Sequence, residues 1–228
     1  MQNTNTHNRI SIQVSLSGYS FKVEDLDNIV QTGWLGGEKF FTTPEFRRRY
    51  NTVRLSLLTP KCTIIPEHFF SSAEARHSLE DVVHLDPEDK VEYVRLPQLG
   101  AIMVFSNDIG ETLSKAIAQT VLTEDGYNSR ILPEMWYLVD AIGDCTEYNK
   151  ILASYADGYL HLVIAQGKSL MLANIYKAPD FTTAQYFIFN ALKKLQLNPE
   201  VSTVSFRTPI TEEQEISLYR YFKAVERL

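Results

Sequence analysis

The stretch YNKILASYADGYLHLVIAQGKSLMLANIYK, residues 148–177, decides the architecture. It reads as three antiparallel β-strands, Tyr148 to Tyr155, Tyr159 to Ala165 and Ser169 to Tyr176. Two turn signals separate them, Asp157-Gly158 and Gln166-Gly167-Lys168. Asp-Gly suits a tight type I′ hairpin because both central residues must take positive φ. Downstream, Thr182 and Gln185 stand at capping-box spacing. They open an expected helix with apolar face Ala184, Phe187, Ile188, Ala191, Leu192 and Leu195. Val201 to Phe206 reads as a fourth strand. Thr211 and Gln214 repeat the capping box before a last helix carrying Ile216, Tyr219 and Phe222. The order is strand, strand, strand, helix, strand, helix.

The first part of the chain carries a less regular copy. Ile10 to Leu16 alternates apolar and polar with the period of a half-buried strand. Ser17-Gly18 turns the chain, and Tyr19 to Val23 alternates again. Thr43-Pro44 predicts a short helix through Phe46 and Tyr50, with Pro at its first position. Val53 to Leu57 and Thr63 to Ile65 read as strands, the latter ended by Pro66. Residues 71–90 are charged and aperiodic, the most loop-like internal stretch. Ala101 to Phe105 is a compact strand, followed by a helix with Ile109, Leu113, Ala116, Ile117 and Val121 on one face. Pro133 opens another, carrying Met135, Leu138, Val139 and Ile142. Ser17-Gly18-Tyr19 and Asp157-Gly158-Tyr159 occupy equivalent turns, which indicates an internal duplication. The expected division is a first lobe over residues 1–146 and a second over 147–228.

Composition limits the class. Among 228 residues, 22 are Lys or Arg and 28 are Asp or Glu, a net charge of −6. That balance argues against a surface that coats nucleic acid, which is normally basic. Cys62 and Cys145 form neither a disulfide framework nor a zinc motif, and suit a reducing cytoplasm. Met1 to Arg9 lacks the apolar core of a signal peptide. Apolar runs are of strand length, well short of the roughly 20 residues of a membrane helix. The expectation is a cytoplasmic protein without membrane insertion.

The chain resembles an uncharacterised bacterial family assigned the actin-like ATPase fold. The segments carrying the resemblance are Leu16-Ser17-Gly18-Tyr19-Ser20-Phe21, Ile64-Ile65-Pro66-Glu67-His68-Phe69-Phe70, Leu170 to Tyr176, and the helix beginning at Asp180-Phe181. The resemblance implies an α/β fold of two ribonuclease H-like lobes, with mixed sheets flanked by helices. It also implies where a nucleotide would be held in active relatives. There, an Asp-x-Gly hairpin from each lobe brings backbone amides to the phosphates, the first aspartate organises Mg²⁺, and a glycine pair lies against the adenosine. This chain departs at each place. Its first hairpin, Ser15-Leu16-Ser17-Gly18, has no carboxylate. Its second keeps Asp157-Gly158 but adds bulky Tyr159, and Phe206-Arg207-Thr208-Pro209 has no glycine pair.

Other patterns read more simply as structure. Gly167-Lys168-Ser169 resembles the end of a P-loop, but lies between two strands and lacks the upstream glycine, where Leu162 stands. Arg47-Arg48-Arg49 reads as a solvated surface. His68, His77 and His84 lack metal-ligand spacing. Glu67, Glu80, Asp81, Glu88 and Asp89 read as solvated loop acids, and Trp34 as a packing aromatic. Cys62 sits in an apolar strand, a poor place for a nucleophile.

The expected function is a non-catalytic binding or scaffold protein on a degenerate actin-like ATPase frame, a pseudo-ATPase with a protein partner. No catalytic residue, metal or cofactor is assigned. The alternative is a divergent ATPase or phosphotransferase using an inter-lobe cleft, with Ser17, Gly18, Asp157 and Gly158 as its candidate residues.

Overall fold

The computed structural model describes residues 8–25, 28–107 and 111–228. Ile109, expected on a helix face, and most of the polar lead lie outside the described residues. In chain order the strands begin β1 (Arg9–Ser15), β2 (Gly18–Asp25), β3 (Asn28–Gln31), β4 (Thr52–Leu57), β5 (Cys62–Pro66), β6 (Val91–Leu96) and β7 (Ala101–Ser106). They continue with β8 (Ile131–Pro133), β9 (Asn149–Ala156), β10 (Tyr159–Gln166), β11 (Ser169–Lys177), β12 (Thr203–Phe206) and β13 (Ala224–Arg227). The α-helices are α1 (Ala75–Glu80), α2 (Glu111–Thr120), α3 (Glu134–Asp140), α4 (Phe181–Lys194) and α5 (Glu212–Tyr219).

The chain forms two compact units, each assembled from two segments. One comprises residues 1–58 and 107–132, the other 59–106 and 133–228. A single cut between 146 and 147 therefore falls inside the second unit, because the sheet built from residues 62–106 belongs with the C-terminal strands.

The first unit holds the sheet β3-β2-β1-β4-β8. β1 pairs antiparallel with β2 and parallel with β4. Alternation places Ile10, Ile12, Val14, Tyr19, Phe21 and Val23 on one face, packed with Phe46, Tyr50, Ile117 and Val121. Gln13 and Ser20, at neighbouring positions on the opposite face, satisfy one another through a 2.8 Å hydrogen bond. The helix expected from Thr43-Pro44 is shorter than its pattern, a single 3₁₀ segment over Pro44–Arg47. Tyr50 lies beyond its end as a buried plug whose hydroxyl donates to the Glu45 carbonyl. Burial pushes that phenol up to about 12.

The second unit repeats the plan in the sheet β11-β10-β9-β12-β13. The same first-to-fifth strand order, with an antiparallel trio followed by a parallel crossover, gives the internal duplication a structural basis. Leu160, Leu162 and Ile164 of β10 face Ala184, Ile188, Ala191 and Leu192 of α4. The cap of α4 is Asp180, whose Oδ1 accepts from the Thr183 amide at 2.7 Å, rather than the expected Thr182–Gln185 pair. That bond also holds the Asp180 carboxyl below its ordinary pKa. Thr211 and Gln214 do form the reciprocal capping box of α5.

A second, three-stranded sheet in this unit has the order β5-β7-β6. Ile102 and Val104 of β7 pack on Ala75 and Leu79 of α1, so residues 71–90 contain a helix. Asp89 anchors the following turn. Its Oδ2 accepts from the Asp86 amide at 2.8 Å and from Lys61 Nζ. Burial alone would lower the Lys61 pKa, but the bonds to Asp89 and Asp86 prevail and raise it.

Candidate functional site

The candidate residues Ser17, Gly18, Asp157 and Gly158 occupy the two equivalent hairpin turns, one in each unit. Asp157 and Gly158 both take positive φ, 50° and 75°, the backbone of a type I′ turn. The Gly158 carbonyl accepts from the Ala178 amide at 2.7 Å, tying the turn to the end of β11. Gly18 has φ 149°, and a side chain there would meet the Leu35 carbonyl oxygen. The tight approach serves the Tyr19–Leu35 bridge, with bonds of 2.9 and 2.7 Å. Each turn thus has a local structural requirement for its glycine.

Two features within the second unit escaped sequence reading. The first is buried beside α3. Glu134, fully buried, accepts from Ser154 Oγ at 2.7 Å and pairs with Arg207 Nη1. The Arg207 guanidinium also lies 4.5 Å from the centre of the Tyr137 ring. At the other end of α3, Lys150 Nζ donates to the Ile142 carbonyl at 2.7 Å and to that of Cys145. Ser154 and Lys150 both belong to β9, so one strand pins both ends of the helix.

His161 is the register partner of Ser154 on β10 and is also fully buried. Its Nε2 lies 3.1 Å from the Thr59 carbonyl oxygen, which can only accept, so Nε2 carries the proton. Nδ1 is left as a buried acceptor with no partner among the described residues. Desolvation dominates and lowers the His161 pKa, although the Thr59 bond and Glu134 oppose it.

This gives a pH dependence of defined sign. The unfolded chain binds a proton at His161 near the ordinary value of 6.5, while the folded chain resists until lower pH. The contribution is fully present above 6.5 and is lost as pH falls from there through the folded value. Within that window stability should fall with decreasing pH, at no more than the one-proton limit of about 1.4 kcal/mol per pH unit. Urea titrations between neutral and mildly acidic pH should show this slope, and His161→Gln should remove it. An equal slope in the variant would assign the effect elsewhere.

The second construction is an open groove of about 760 Å³, again wholly within the second unit. Residues of β5 form one part of its lining, and the β10–β11 turn with most of β11 forms another. Val82, Val83, Leu99 and Met135 add an apolar wall. Among the described residues lining it, Lys168 carries the one charge. Cys62 offers the groove no ready nucleophile, because burial pushes its thiol up to about 12. Gly167-Lys168 is a plain hairpin turn with Gly167 at φ 57°, not a phosphate loop.

The remaining candidates are dispersed. Arg47, Arg48, Arg49, His68, His77 and His84 are exposed. Glu67, Glu80, Asp81 and Glu88 are exposed loop or helix-end acids, whereas Asp89 is buried as the Lys61 anchor. Among the described residues no group of three or more His, Cys, Asp or Glu side chains could hold a metal ion. No helix among them is long and apolar enough to cross a membrane.

Residues 2–225 match a family described as protein of unknown function, DUF3822. The chain belongs to the DUF3822 family. Its structure is similar to that of a Bacteroides thetaiotaomicron protein with actin-like ATPase fold and unknown function. The TM-score is 0.68 at 16% identity, covering 100% of this chain and 94% of that one. It is also similar to a chain in a PilM-PilN type IV pilus biogenesis complex. There the TM-score is 0.50 at 9% identity, over 96% of this chain and 88% of that one. No curated protein matches the chain. This DUF3822 member therefore has the actin-like ATPase fold that its hairpins and turn motifs implied.

Proposed function

We propose that this chain is a non-catalytic, cytoplasmic scaffold that holds a protein partner in the groove of its second unit. The observation that carries the reading is the groove itself: about 760 Å³, with a mixed polar and apolar lining that holds one cation and an unreactive thiol. Such a surface supplies shape and burial for recognition but no acid–base or nucleophilic machinery. The local uses found for Gly18 and Gly158 point the same way, since backbone approach at those turns already serves the fold. A chain of similar fold occurs in a PilM-PilN complex, which supports partner binding as a use of this frame.

A thermal-shift titration with Mg-ATP tests the reading against nucleotide chemistry. The expected outcome is no saturable change in Tm up to millimolar nucleotide. A saturable rise that Asp157→Asn abolishes would overturn the scaffold reading. Asparagine is the appropriate replacement because it also tolerates the left-handed backbone that the turn requires.

A further inference from the structure

The two strands that line the groove are both sheet edges. β11 pairs with β10 alone among the described strands, and β5 with β7 alone. We propose that the groove takes an extended peptide segment as an added strand on the β11 edge, with a carboxylate of that segment held by Lys168. This rests on the binding reading above and names the form of its ligand.

The hairpin register identifies the free backbone groups. The two-residue Asp157-Gly158 turn makes Ala156 and Tyr159 the first hydrogen-bonded pair. Bonding then alternates along β10. Tyr159, His161 and Val163 face β9, while Leu160, Leu162 and Ile164 exchange bonds with Tyr176, Asn174 and Leu172 of β11. Between these, Ala173 and Ile175 turn their N–H and C=O groups to the open edge. Both residues line the groove.

β5 is the poorer template. The bonds from Ser106 N to Lys61 O and from Glu67 N to Gly100 O, each 2.9 Å, fix the alternation there. Cys62 and Ile64 therefore face outward, but Pro66 ends the strand without a donor and Pro60 stands before it. The one irregularity of β11 lies near Met171, opposite the Ile164–Ala165 step, and leaves Leu172 to Lys177 in regular register. An edge of that kind is an open site for strand addition.

Charge and shape specify the partner further. Lys168 stands at the turn that begins β11, and no carboxylate lines the groove among the described residues. A segment running antiparallel to β11 brings its C-terminal end to this lysine, so a terminal carboxylate or an acidic side chain complements it. Alternate side chains of an added strand would meet the wall of Val82, Val83, Leu99 and Met135, favouring apolar residues with period two.

Selection from a displayed library of random peptides with free C-termini tests both the mode and the chemistry. Enriched peptides should alternate apolar residues and carry a carboxylate near the C-terminus. A synthetic version should slow amide hydrogen exchange at Ala173 and Ile175. Ala173→Pro removes an outward donor without breaking the β10 ladder, and should weaken binding about tenfold or more. Lys168→Glu should weaken it by a similar factor. Backbone N-methylation of alternate peptide residues tests the same bonds with the protein untouched.

Enrichment of helical spacing, or full binding by Ala173→Pro and by the methylated peptide, would overturn strand addition while leaving the groove a binding site. Absence of any enrichment would overturn both. Binding by Lys168→Glu at unchanged affinity would overturn the carboxylate assignment.

Discussion

Arg207→Met should destabilise the second unit by about 3–5 kcal/mol, because it strips a fully buried carboxylate of its cation. Glu134 has no exposed surface, and the Arg207 side chain is only 8% exposed. In the variant, the Ser154 hydroxyl at 2.7 Å still donates to that carboxylate, but one neutral hydrogen bond cannot replace an ion pair. The cation–π contact with Tyr137 is lost as well. For a chain of this size the change corresponds to a fall in Tm of about 10 °C. The penalty belongs to the stranded charge rather than to the missing contact. A double variant, Glu134→Leu with Arg207→Met, should therefore be more stable than Arg207→Met alone. Denaturant melts of both variants check this. A single variant within about 1 kcal/mol of the parent, or a double variant still weaker than the single, would show that the pair is not the anchor of α3.

Sequence patterning exposed the sheet containing this anchor but not the anchor. β9, β10 and β11 were legible because apolar alternation and two turn signals reinforce each other within one stretch. Glu134, by contrast, reads as an ordinary first-turn acid after Pro133. Its partner Arg207 is 73 positions away, beyond the end of β12. Only His161, a polar residue within the apolar run Leu160 to Ala165, gave a local sign that this face meets other polar groups. The short strands were obscured for different reasons. β13 is half charged and four residues long, β3 is largely exposed, and β6 follows the charged stretch that masks its start. The cap of α4 lies two residues before the position its capping-box spacing indicates, because Asp180 and Thr182 both precede apolar helix positions; the carboxylate reaches the Thr183 amide and takes the role.

The groove was illegible for a topological reason. Its lining joins residues 60–66 to residues 168–175, about a hundred positions apart, and depends on which strands end up as edges. Strand periodicity identifies β5 and β11 individually but carries no information about their neighbours. The nucleotide-turn candidates show the opposite relation. Their sequence was conspicuous, yet each glycine is explained by local backbone geometry. Asp157-Gly158 supplies a type I′ turn, and Gly18 permits a close crossing by residue 35.

Gly18→Ala measures that crossing directly. An added methyl would stand 2.0 Å from the Leu35 carbonyl oxygen and 2.9 Å from its carbon, both backbone atoms. No side-chain rotation relieves such an overlap, so either β2 or the chain at Leu35 must move. The φ of 149° adds a conformational cost for any residue with a Cβ. Movement breaks the two Tyr19–Leu35 bonds and disturbs Tyr19, whose ring packs 5.2 Å from Phe46 and whose hydroxyl lies 2.6 Å from Thr43 Oγ1. These terms together give an expected loss of about 2–4 kcal/mol in the first unit. Hydrogen exchange should localise it, with faster exchange at the Tyr19 and Leu35 amides than in the parent. Gly158→Ala provides the contrast. Its added Cβ would lie 3.7 Å from the nearest atoms, so the left-handed turn alone is strained and the cost should be only about 1 kcal/mol. Equal losses at the two glycines would mean that turn conformation, rather than the close approach of residue 35, is what the first hairpin requires.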